Sequence, residues 1–101
     1  MIYNKLVRDN IPKIIESNGK KPLISTLNNE DYKKELDKKL LEEVNEYLTD
    51  DNNEELADVL EVIMAILEYK KVDFEDIDKM RLEKKAKRGG FRNKIFLEGV
   101  V

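Results

Sequence analysis

The stretch NNEDYKKELDKKLLEEVNEYLTDDNNEELADVLEVIMAILEY, Asn28 to Tyr69, decides the fold. Its first half places Tyr32, Leu36, Leu40, Val44, Tyr47 and Leu48 at helical spacing. Asn28, with Asp31 three residues on, resembles an N-cap with a capping-box partner, Asp standing in for the usual Glu. A helix is therefore predicted from there to about Thr49. Asp50-Asp51-Asn52-Asn53 reads as a turn that also supplies the next N-cap. A further helix is predicted from about Glu54 to Tyr69. Its second half is apolar nearly all round, the signature of a helix covered on more than one side. So short a turn forces the two helices into an antiparallel hairpin.

Working outward, Pro12 suits the first turn of a short helix running to about Ser17, because its missing N–H costs nothing there. Asn18-Gly19 closes that helix. Pro22 to Leu27 reads as extended. Asp73 is the N-cap of a fourth predicted helix, with Asp76 as box partner and Val72 stapled to Ile77. That helix ends at Gly89-Gly90, with Lys87 and Arg88 in its last turn. Ile95-Phe96-Leu97 reads as a short strand. The expectation is an all-α fold: one domain over residues 1–101, an antiparallel helical hairpin with flanking helices and a minor β element near the termini.

With 101 residues the chain can bury only a modest core. It has no cysteine and no histidine, which excludes disulfides, Cys/His zinc sites, a thiol nucleophile and an imidazole base. Carboxylates, lysines, tyrosines and water are left to do any chemistry. The opening MIYNKLVRDNIP carries charges and lacks an apolar signal-peptide core. The longest apolar run, Leu56 to Leu67, contains Asp58 and Glu61 and falls short of the ~20 residues of a membrane span. A cytoplasmic setting away from membranes is expected.

Charge is strongly partitioned. Glu30 to Asp58 holds 12 acidic and 4 basic residues, a net of −8; Lys79 to Lys94 holds 8 basic and 1 acidic, a net of +7. One region is suited to a cation and the other to an anion; mutual attraction of the two regions is the plainer explanation.

Glu43 and Glu46 lie one helical turn apart, as do Glu55 and Asp58. The hairpin brings both pairs to its turn end, where four carboxylates repel unless a hard cation joins them. Mg²⁺ takes such oxygen ligands, and Mn²⁺ is the alternative. In a chain with 22 Asp and Glu residues, an ExxE spacing is ordinarily a solvated face. Helical position separates the cases. Asp58 aligns with Val62, Ala65 and Tyr69, a packing stripe where a lone charge is costly. Glu43 borders the Leu36–Leu40–Val44–Tyr47 stripe, whereas Glu42 points away. Glu61 shares the arc of Asp58 as an extra ligand or water-orienting base. Glu54 is explained by the helix dipole.

Glu42-Glu43-Val44-Asn45-Glu46 followed by Glu55-Leu56-Ala57-Asp58 resembles the EExxE…ExxD signature of MazG-like nucleotide pyrophosphohydrolases. Lys5 to Pro12 and Arg81 to Phe91 are similar to the opening and closing segments of a small phosphoribosyl-ATP-pyrophosphohydrolase-like subgroup. The connection between the acidic motifs is much shorter here than in the family's larger members, where it helps shape the base pocket. The resemblance implies Glu43, Glu46, Glu55 and Asp58 as Mg²⁺ ligands. It also implies hydrolysis of an NTP or dNTP to the monophosphate and pyrophosphate, including the clearance of non-standard nucleotides.

In such a reaction the metal acidifies water, with Glu43 or Glu46 as proton acceptor. Cations must meet the phosphate charge. Arg81, Lys84, Lys85 and Arg88, spaced on one helix face, are candidates, joined by Lys5 and Arg8. Salt bridges to the acidic hairpin are the alternative use of these cations. Phe91, Tyr3 and Tyr47 are candidates for base stacking, with core packing as their plainer role.

Other readings are phosphoribosyl-ATP hydrolysis in histidine synthesis and a non-enzymatic helical interaction module. A nucleic-acid partner is not expected: the basic segment lacks zinc-finger and RNP patterns, and the pI is about 5.1. No phosphate-binding GxxxxGK[ST] frame is present. The apolar breadth of the third predicted helix points to a homodimer or higher homo-oligomer, with basic residues completing the site from across the interface.

Overall fold

The computed structural model describes residues 2–101. It is all-helical: α1 (Ile11–Ser17), α2 (Asn29–Asp50), α3 (Asn53–Lys70) and α4 (Phe74–Arg88). No strand occurs among the described residues; Pro22 to Leu27 and Ile95 to Leu97 are without regular structure. Neither apolar run has a second strand to complete its backbone hydrogen bonds, so the expected β element does not form.

The hairpin of α2 and α3 is the one sustained helix–helix packing among the described residues. Its boundaries are set by local chemistry. The Asn28 side chain accepts from the Asp31 N–H at 2.8 Å, and that of Asn52 from the Glu55 N–H at 3.0 Å. Each such cap contributes about 1 kcal/mol. Between the helices, Asp51 takes the left-handed conformation, φ 51° and ψ 46°, and its N–H bonds the Tyr47 carbonyl. Asp51 and Asn52 alone reverse the chain. At the far end, Lys71 ends α3 in the same conformation, φ 58° and ψ 42°. Asp73 occupies the N-cap of α4 as predicted, but its side chain makes no capping bond; its carbonyl accepts from Asp76 and Ile77 instead.

Leu36, Val62 and Leu67 form the buried core of the hairpin. Tyr32 and Tyr69 close its open end edge to face, with centroids 6.0 Å apart and planes at 71°. Away from the hairpin the chain is extended. The radius of gyration is 18.1 Å, against about 13 Å for a compact domain of this length. The accessible surface is 9641 Å², against about 5,900 Å² for a compact chain of this mass. No helix among the described residues is long and apolar enough to cross a membrane.

Candidate metal centre

At the turn end of the hairpin, carboxylate oxygens of Glu43, Glu55 and Asp58 lie within 4.8 Å of one another. Glu43 comes from the last third of α2; Glu55 and Asp58 come from the first two turns of α3. The two-residue reversal makes this possible, because both helices begin counting from the same point. Glu43 is 7% exposed, deeper than its place at the edge of an apolar stripe suggests. Glu55 and Asp58 are half-buried.

The charges are only partly answered. Lys39 lies 3.4 Å from Glu43 Oε1 and 3.4 Å from Glu42 Oε1. Arg8 Nη2 donates to Asp58 Oδ1 at 2.7 Å, pinning the N-terminal segment to α3. Glu43 Oε2 and Glu55 Oε2 are buried and have no hydrogen-bond partner. Such orphaned acceptors are costly, since their hydration has been lost without replacement. Burial pushes the Glu43 carboxyl above its ordinary pKa, the neighbouring Glu46 carboxyl adds to this, and Lys39 opposes it. An all-oxygen donor set with two unmet buried acceptors fits Mg²⁺ or Mn²⁺.

Glu46 is half-buried beside Glu43 and stands outside the three-residue cluster. Glu61 is exposed and also lies outside the cluster, so the shared arc with Asp58 does not bring it in. Three residues on, it is turned about 60° from Asp58 and about 100° from the buried Val62, out of the face that meets α2. Glu42 is half-buried and lies outside the cluster, and Lys5 approaches it at 4.0 Å. An open groove of about 510 Å³ follows α2 through Leu41, Asn45 and Glu46, and includes none of the three clustered residues.

Of the predicted phosphate-binding cations, Arg8 alone touches the cluster. Within the chain, α4 has no sustained packing against the hairpin. Arg81 pairs with Asp78 on its own helix at 2.7 Å, and Lys84, Lys85 and Arg88 form no ion pair among the described residues. Tyr3 and Phe91 are exposed, and Tyr47 is half-buried. Lys39 was not among the candidates. The signal was available: Lys39 and Glu43 are four apart on one helix, the spacing of an ion pair.

Over 42 residues, 42% of its length, the chain is 50% identical to an uncharacterised protein of Mycolicibacterium smegmatis. The match spans 43% of that relative. No family model matches the chain, and no solved structure matches it.

Proposed function

We propose that this protein is a Mg²⁺-dependent nucleotide pyrophosphohydrolase, releasing pyrophosphate from an NTP or dNTP. The observation that carries the reading is the cluster of Glu43, Glu55 and Asp58, with two buried oxygens lacking any partner. Glu43, Glu55 and Asp58 would hold the ion, with Glu46 adjoining. When bound, Mg²⁺ supplies Lewis-acid charge to phosphate oxygens and acidifies water. The protein's own part is to hold three carboxylates together and to move a proton. Burial, with the Glu46 carboxyl beside it, raises the Glu43 carboxyl above its ordinary pKa, as suits a proton acceptor. Arg8 uses one guanidinium N–H on Asp58 and retains others for a phosphate oxygen at the rim. Resemblance of the EExxE…ExxD pattern to MazG-like enzymes supports the same reaction.

The test is pyrophosphate release from a panel of NTPs, dNTPs and phosphoribosyl-ATP, with and without Mg²⁺. Mg²⁺-dependent turnover that collapses in Asp58→Asn is expected. No turnover on any substrate, or turnover indifferent to that substitution, refutes the reading. Preference for phosphoribosyl-ATP would assign the protein to histidine synthesis rather than to nucleotide clearance in the cytoplasm. A non-enzymatic helical module would show neither turnover nor Mg²⁺-dependent stabilisation.

A further inference from the structure

The two oxygens of Glu43 are treated differently. Oε1 lies 3.4 Å from the Lys39 ammonium, whereas Oε2 is buried and has no partner. Lys39 is also 3.4 Å from Glu42 Oε1, so its ammonium is held between two carboxylates one turn along α2. A charged ammonium has three donors and no lone pair. It can hold an oxygen but cannot itself ligate an ion.

Asp58 is engaged in the same manner, by Arg8 on Oδ1 at 2.7 Å, but the two pairs differ in durability. The Arg8 and Asp58 side chains are 60% and 38% exposed; those of Lys39 and Glu43 are 17% and 9%. Water and salt compete with the first pair and scarcely reach the second. Helix stabilisation does not account for Lys39. Lys four residues before Glu is the weaker order of an i,i+4 pair, and withdrawing an ammonium from water is costly.

We infer that Lys39 sets which ion the carboxylate centre takes: it engages Glu43 Oε1, leaves Oε2 as that residue's single donor, and so favours Mg²⁺ over Ca²⁺. The inference rests on the carboxylates being a metal centre, and it names the residue that selects among metals. Mg²⁺ is small, octahedral and retains waters, so single oxygens from separate carboxylates suit it. Ca²⁺ takes more oxygens at longer distances, and a carboxylate offering both of its oxygens suits that demand. Glu43 can offer both only by giving up Lys39, which leaves a poorly hydrated ammonium against Glu42 alone.

The test needs no nucleotide and no turnover. Mg²⁺ and Ca²⁺ chlorides are each titrated into the full chain by calorimetry, and the ratio of the two affinities is read. In Lys39→Met, Ca²⁺ is expected to gain on Mg²⁺ by about tenfold. Lys39→Arg retains the cation and should leave the ratio near that of the wild type. Loss of positive charge by itself strengthens both divalent ions alike, so the ratio separates selection from simple attraction. Glu42→Gln, at a residue outside the cluster, gives Lys39 wholly to Glu43 and should move the ratio toward Mg²⁺. It serves where Lys39→Met fails to fold. A ratio unmoved by Lys39→Met, or moved as far by Lys39→Arg, overturns the inference; in their place, a Glu42→Gln ratio unmoved or displaced toward Ca²⁺ does the same. A wild type that binds neither ion refutes the metal centre and the inference with it. Binding of both ions with an unmoved ratio refutes the inference alone.

Discussion

The two ends of the α2–α3 hairpin are built on opposite terms. At the open end, Tyr32 and Tyr69 meet edge to face over a core of Leu36, Val62 and Leu67. At the turn end, a comparable degree of burial is spent on Glu43, with Glu55 and Asp58 beside it and two oxygens unpartnered. One end holds the helices together, and the other is held together by them. Burial that would stabilise a leucine instead stores unfavourable charge, which a cation can release.

Four substitutions separate the ends. Leu36→Ala should have the largest effect on folding, about 3 kcal/mol, because Leu36 is 2% exposed and its loss leaves a cavity. Denaturant titration measures it, and a loss below 1 kcal/mol would contradict the assigned core. Asp58→Asn should lower Mg²⁺-dependent pyrophosphate release by about 100-fold or more while leaving the melting temperature of the metal-free protein nearly unchanged. Equal damage to both would place Asp58 in the scaffold instead. Glu43→Gln should act in opposite directions on the two properties. It removes a buried charge at neutral pH and so stabilises the metal-free protein by about 1 kcal/mol, yet Mg²⁺ should no longer raise its melting temperature. Destabilisation without metal would show that the Lys39 contact outweighs the burial cost. Arg8→Gln should have the smallest effect. It frees Asp58 from an exposed ion pair, so Mn²⁺ affinity measured by titration should rise about twofold to fivefold. An unchanged or weaker affinity would mean that Arg8 does not compete with the ion.

The hairpin was legible because its determinants are local. Asn28 caps α2 as read, the Asp50–Asn53 turn supplies the cap of α3 as read, through Asn52, and the apolar spacing of Leu36, Val62 and Leu67 marks the packed faces. Asp58 and Glu43 were separable from the other acids because each sits on or beside an apolar stripe. What escaped depends on distance between elements. Glu61 shares a helical arc with Asp58, but an arc about 60° wide does not say which of its edges meets the other helix, and Glu61 is on the exposed one. The basic residues of α4 were readable as one face, whereas the absence of α4 from its own hairpin follows from a connection whose direction no periodicity encodes. The expected strands failed for a related reason: an apolar run becomes a strand only where another one pairs with it.

The donor set has a consequence for oxidative conditions. A centre made from carboxylates, in a chain without cysteine, has no thiolate to be carried through sulfenic and sulfinic acids. Peroxide therefore has no atom to attack where the ion would sit. Among the described residues its points of attack are the thioethers of Met80, 56% exposed on α4, and Met64, 37% exposed on α3, where a sulfoxide sets a polar group on an apolar surface. Oxidation would then mark the outer faces of α3 and α4 and leave the ion's ligands chemically intact.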